Sequence, residues 1–168
     1  MSKYQELSKA FAESGQRQTK YISDCCDFAN FLFQKVAEYF EWPRDQMCFV
    51  LDESLYVGPQ RCDTTVVRLK EDGYVYFFVL FTVKRLDNVN RSYQFIIPIK
   101  LKKFEETFLI QIINSSEELM LKTTDTEELE KFYEYIFIHM KNFFDTPFLN
   151  FTAEDFVRGT LSSDAEDD

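Results

Sequence analysis

One run, Tyr74 to Lys84 (YVYFFVLFTVK), constrains the fold of this chain more than any other. Val75, Phe77, Val79, Phe81 and Val83 give an unbroken apolar face at the two-residue period of a strand. The alternate positions, Tyr74, Tyr76, Phe78, Leu80 and Thr82, are mostly apolar as well. A strand that is apolar on both sides belongs in the interior of a sheet, with other elements covering each side.

The neighbouring sequence supplies the partners. Short strands are expected at Gln46–Asp52 and Leu55–Val57, and longer ones at Asp63–Lys70, Ser92–Leu101, Thr107–Ile113 and Leu119–Thr123. The connecting segments, Glu71-Asp72-Gly73, RLDNVNR and the turns at 102–106 and 114–118, are short enough to make the neighbours antiparallel. Pro98 cannot donate to a ladder, so a bulge or unpaired stretch is expected there. Matching apolar faces puts Val67 and Leu69 beside Val75 and Phe77, then Phe95, Ile97, Ile99 and Leu101, then Phe108, Ile110 and Ile112.

Two strong helical patterns flank this meander. Tyr21, Cys25, Phe28, Leu32, Val36 and Tyr39 recur at steps of three and four, which predicts a helix over about 21–42, started by Ser23 or Asp24. Leu129, Phe132, Tyr133, Ile136, Met140 and Phe143 predict another over about 126–144, with Asp125 as its N-cap and Glu128 three residues on. The fold class is therefore α+β: an antiparallel meander of about 5–6 strands with one helix before it and one after. Residues 1–20 read as a short helix carrying Tyr4, Leu7 and Phe11 followed by a linker, SGQRQTK. That helix is expected to dock on its own domain, on a second copy or on a partner. Residues 21–161 form a single domain and 162–168 an acidic disordered tail. The helix, meander, helix order is loosely similar to small acidic secretion chaperones and to the pleckstrin-homology fold. A helix interrupts the strands of the former, and the latter leaves the helix at 21–42 unexplained. Neither likeness is one of motif, and neither carries a site residue here.

Chemistry-bearing patterns are sparse. The four glycines, Gly15, Gly58, Gly73 and Gly159, are too far apart for a phosphate loop or dinucleotide fingerprint. His139 is the single histidine, and Cys25, Cys26, Cys48 and Cys62 lack zinc-site spacing, so they read as reduced structural thiols. No catalytic, cofactor or metal residue is assigned, and an enzyme is not expected. The absence of a long apolar run argues against a membrane span and that of an apolar leader against secretion, which leads to a cytoplasmic assignment. On that assignment the sequons at Asn114 and Asn150 are fortuitous.

Charge is the informative feature. The net charge of −10 divides into 6 basic and 9 acidic side chains over residues 1–60, 9 and 4 over 61–104, and 4 and 16 over 105–168. Two candidate surfaces follow. Arg68, Lys70, Lys100, Lys102 and nearby Lys103 gather around Tyr74 and Tyr76 on the second sheet face, a basic and aromatic combination suited to nucleic acid or another anionic ligand. Glu127, Glu128, Glu130 and Glu134 of the last helix, with Asp164, Glu166, Asp167 and Asp168 of the tail, form an acidic surface for a basic protein partner. The leading expectation is a non-enzymatic interaction module such as a chaperone, adaptor, inhibitor or immunity-type binder. Nucleic-acid binding and mimicry of DNA charge are the alternatives. The N-terminal helix and an unpaired strand edge could each support a homodimer.

Overall fold

The computed structural model describes residues 1–52, 58–88, 91–113 and 115–145, together with the backbone of 158–163. Helix α1 spans Lys3–Tyr39 and helix α2 spans Thr126–Asp145. Six strands lie between them: β1 (Met47–Val50), β2 (Arg68–Leu69), β3 (Val75–Lys84), β4 (Arg91–Phe104), β5 (Thr107–Ile112) and β6 (Glu118–Leu121). A further strand, β7 (Arg158–Ser163), follows α2. The fold class is the α+β antiparallel architecture that the sequence predicts.

The two long strands, β3 and β4, form the centre of the sheet, paired in register from Val75 opposite Leu101 to Lys84 opposite Ser92. Each has two short strands on its outer edge. On β3 these are β1, opposite residues 78–81, and β2, opposite Val75 and Tyr76. On β4 they are β5, opposite residues 99–104, and β7, opposite residues 91–96. Pro98 falls where β4 changes from one outer partner to the other. Its register with Phe78 is unbroken, so no bulge forms on the β3 side, and its carbonyl accepts from Ile113 N at 2.9 Å. The expected unpaired stretch is thus confined to the β4 edge that the missing N–H faces.

The expected apolar register holds. Phe77 lies opposite Ile99, Val79 opposite Ile97, Ile99 opposite Ile112 and Leu101 opposite Ile110, and all are buried in one cluster. Both helices pack on this same face, so neither of them is the element expected to cover the other side. Phe33 of α1 shows why the layer is cohesive. Its ring meets Phe49, Phe77 and Phe81 of the sheet and Phe132 of α2, at centroid separations of 5.9, 6.3, 6.3 and 6.2 Å. These tilted and edge-on arrangements are the favoured ones for aromatic pairs.

Four boundaries differ from the sequence pattern. First, SGQRQTK is not a linker, because α1 runs through it. Gly15 costs about 1 kcal/mol against alanine in a helix, but the glutamine, arginine and lysine residues around it are good helix formers. Thr19 Oγ1 also donates to Gly15 O at 3.0 Å. The helix therefore starts at Ser2, which accepts from Gln5 N at 3.2 Å while Gln5 Oε1 accepts from Ser2 N at 2.8 Å, a capping box. Ser23 and Asp24 are interior to it. Second, the helix ends before Trp42 in a Schellman arrangement, with Trp42 N donating to Ala37 O and Glu41 N to Glu38 O. Glu41 takes the left-handed conformation there (φ 52°) that glycine usually supplies. Third, the strand expected at 63–70 is ordered as a ladder only at Arg68–Leu69. Fourth, Ser162 and Ser163 belong to β7, so the tail does not begin at 162. Leu55–Val57, Asn114, Asn150 and residues 164–168 lie outside the described residues.

The outer edge of β1 is closed by a close approach. Phe49 N donates to Pro59 O at 2.9 Å, and a Cβ on Gly58 would stand 1.7 Å from Phe49 O, so only glycine fits. Phe33→Ala removes the ring shared by both helices and the sheet. It is expected to lower unfolding free energy by about 3–5 kcal/mol in urea denaturation.

Candidate interaction surfaces

The second face of the sheet carries what the even positions of β3 and β4 project. In its middle Val50, Leu80 and Ile96 form a small buried cluster with Cys48 and Phe78 against them. Towards the turn at Glu71–Gly73 the face becomes basic and aromatic. Gly73 adopts φ 80°, as the turn requires, and its N–H donates to Lys70 O at 3.0 Å. The register then sets Arg68 opposite Tyr76 and Tyr76 opposite Lys100.

Six of the seven candidate residues meet here: Arg68, Lys70, Tyr74, Tyr76, Lys100 and Lys102. Lys70 Nζ lies 3.9 Å from the centre of the Tyr76 ring, and Lys100 and Lys102 lie 4.5 and 5.2 Å from that of Tyr74. Exposed cation–π contacts of this kind contribute about 0.5–1 kcal/mol each. The hydroxyls are engaged as well. Tyr74 donates to Glu118 Oε2 at 2.6 Å and Tyr76 to Asp72 Oδ2 at 2.6 Å. The hydrogen bond to Glu118, then burial, push the Tyr74 hydroxyl up to about 12. Tyr76 and the hydrogen-bonded N–H of Tyr74 hold the Asp72 carboxyl below its ordinary value. The surface is therefore a zwitterionic network, in which Asp72 and Glu118 are the members that charge counting alone passed over. Asp72 sits two residues before Tyr74 in the turn, and Glu118 faces Gln111 in the register.

Lys103 does not belong to the patch. Odd positions of β4 point to the helices, and Lys103 reaches Asp24 of α1 at 2.8 Å with both side chains partly covered. The hydrogen bond from Lys103 holds the Asp24 carboxyl below its ordinary value of 3.8, and Asp24 in turn raises the Lys103 ammonium. Nearby, Tyr21 Oη donates to Gly73 O at 2.7 Å and accepts from Lys103 N at 3.2 Å. Together these contacts fix α1 to the end of the sheet.

The acidic surface lies on the opposite layer. Asp125 Oδ1 accepts from Glu128 N at 3.3 Å as the α2 N-cap. Lys131 pairs with Glu127 at 3.2 Å and Glu128 at 2.7 Å, and Glu134 accepts from Tyr39 Oη at 2.5 Å. Glu130 is exposed on the same side. Further along, steps of three and four bring Phe137 and Ile138 onto this outer surface, 44% and 49% exposed, beside the Lys141–Asp145 pair, whereas the Phe144 ring packs against Tyr93 and Phe95 of β4. Sequence patterning named the acidic residues of this surface and not the exposed apolar ones, because Phe137 and Ile138 fall outside the packing stripe. The tail residues Asp164, Glu166, Asp167 and Asp168 lie outside the described residues.

Other features carry less chemistry. His139 packs edge-on against Tyr135 at 4.3 Å, and burial pulls its imidazole below the ordinary value. The four cysteines are free thiols, and Cys62 is held by two hydrogen bonds to Asn30, of 2.7 and 2.9 Å. A cleft of about 710 Å³ lined by Asp27, Asn30, Gln34, Trp42 and Arg61 among others lies beside this contact, and nothing in the sequence pattern pointed to it. Among the described residues no cluster of histidine, cysteine, aspartate or glutamate could hold a metal ion, and no helix is long and apolar enough to cross a membrane. No family model, curated protein or solved structure matches the chain.

A carboxyl whose pKa is depressed by folding adds stability above its unfolded value, and that contribution is lost as pH falls through the folded one. Asp24→Asn is expected to destabilise the protein by about 0.5–1 kcal/mol at neutral pH. Denaturation curves of the two proteins should begin to converge as the pH falls below ~4.

Proposed function

We infer that the protein is a non-enzymatic interaction module whose α2 outer face takes a basic, partly apolar segment of another protein. The observation that carries this reading is the division of that face along its length. Glu127, Glu130 and Glu134 occupy its first half, and Phe137 and Ile138 stand exposed in its second, beside the Lys141–Asp145 pair. A surface so divided suits a segment whose positive charges and apolar side chains are likewise separated. The two halves contribute differently. Carboxylates steer and orient an incoming cationic segment, whereas affinity comes from apolar burial, up to about 1.5–3 kcal/mol for each large side chain fully covered. Chaperone, adaptor, inhibitor and immunity-type roles are each compatible with such a surface.

The reading is tested with synthetic helical peptides, a lysine-rich half joined to a leucine-rich half in either order, by stopped-flow and equilibrium fluorescence. Glu130→Gln with Glu134→Gln is expected to slow association and flatten its salt dependence, while Phe137→Ser with Ile138→Ser speeds dissociation. Unchanged binding in both double variants would sink the proposal.

A second reading rests on the second sheet face, which neither helix covers. There Lys100, Lys102 and Tyr76 would hold the phosphates and stack the bases of a single-stranded nucleic acid. Asp72 and Glu118 stand among these groups and oppose a polyanion, which ranks this reading second. Its expected signature is salt-sensitive binding of a single-stranded oligonucleotide that Lys100→Glu with Lys102→Glu abolishes. Tyr76→Ala should weaken it by about 1–3 kcal/mol. No change in fluorescence anisotropy titrations would end it.

A further inference from the structure

The first half of α1 stands apart from the domain. Tyr21 is where the sheet first grips the helix, and every residue before it is exposed. Residues 3–20 form an arm roughly 27 Å long at the helical rise per residue. Tyr4, Leu7 and Phe11 lie on one side of it, 78%, 71% and 83% exposed. Lys3, Glu6, Lys9, Glu13, Arg17 and Lys20 lie on the other sides, with Lys9 and Glu13 paired at 3.8 Å. An isolated helix of this length is marginal in water, and its apolar stripe has no partner within the described domain.

The phase of the stripe limits what can cover it. From Phe11, steps of four and three lead through Gly15, Gln18 and Ile22 to Cys25 and Ala29, which are buried against the sheet. A helix lying on the stripe is therefore on the sheet side of the arm. A second copy of α1 packed there in parallel would run into the first copy's sheet beyond Tyr21. A copy packed antiparallel leads its own domain away from the other end of the arm and meets no such obstacle.

We propose that the arm is a homodimerisation element, pairing antiparallel with the arm of a second copy. The seam is self-complementary in one register. Leu7 lies against Phe11 of the second copy and Tyr4 against its Ser14, so that by two-fold symmetry four layers each set a larger side chain against a smaller one. These layers end about two helical turns short of Tyr21, clear of the sheet. Ser8, Ala10 and Gly15 flank the seam, and their small size lets the helices approach closely. The charged residues stay in water. Four aromatic side chains and two leucines bury on the order of 1,000 Å², at the low end of specific interfaces, so the dimer dissociates on dilution.

Sedimentation velocity of the full chain over a wide concentration series tests this. The expected result is a monomer–dimer equilibrium that Leu7→Glu with Phe11→Glu converts to monomer. Both positions are exposed, so the variant should keep the same cooperative urea transition. Orientation is read by cross-linking: Tyr4→Cys with Ser14→Cys should form covalent dimers under mild oxidation, whereas Tyr4→Cys alone should not. A monomer at every concentration, a dimer that survives Leu7→Glu with Phe11→Glu, or self-cross-linking of Tyr4→Cys would each overturn the proposal.

Discussion

Packing both helices on one face of the β3–β4 pair is the constraint on which the rest of this structure depends. The odd positions of β3 and β4 are uninterrupted large apolar groups, and covering them takes two helices side by side. Phe33 joins the layers because it reaches both outer strand β1 and α2 as well as the centre of the sheet. Once both helices are used on that face, the other can be apolar only where a small cluster suffices. Leu80, Ile96 and Val50 form that cluster, and the remainder of the face turns polar and charged. The basic and aromatic end of the sheet is thus a consequence of where the helices go.

How much of this was legible follows from which signals are local. The central pairing could be read because a two-residue period and short turns leave one register that buries every apolar residue. The α2 cap at Asp125 was readable for the same reason, since all its parts lie within four residues. The continuity of α1 was not, because SGQRQTK has the composition of a linker and only its neighbours on either side favour the helix. Strand β7 was hidden for the opposite reason. RGTLSS has no apolar alternation, and its pairing to β4 depends on backbone ladders with residues some seventy positions away in sequence. Lys103 was misplaced by proximity in sequence, although its odd position in β4 puts it on the helix face with Asp24.

The charge asymmetry resolves into local arrangements once the side chains are placed. Within the positive segment at 61–104, the lysines of the patch do not act as free cations. Lys70, Lys100 and Lys102 sit over tyrosine rings whose hydroxyls bind Asp72 and Glu118, so an incoming anion must compete with carboxylates already in position. On α2 the balance is different. Lys131 answers Glu127 and Glu128 and the Tyr39 hydroxyl answers Glu134, with Phe137 and Ile138 exposed beside them.

Continuity of α1 also changes the physics of its exposed half. A helix joined to the domain by a flexible linker would have to form on binding, at the entropic cost of nucleation and ordering, and could meet its partner from any direction. Here the buried half, fixed by Phe33 and by the Tyr21 and Lys103 contacts, has already nucleated the helix and fixed its axis and phase. The stripe of Tyr4, Leu7 and Phe11 is held out in water in the orientation it would keep when covered. Its direction is decided by core packing some three turns away.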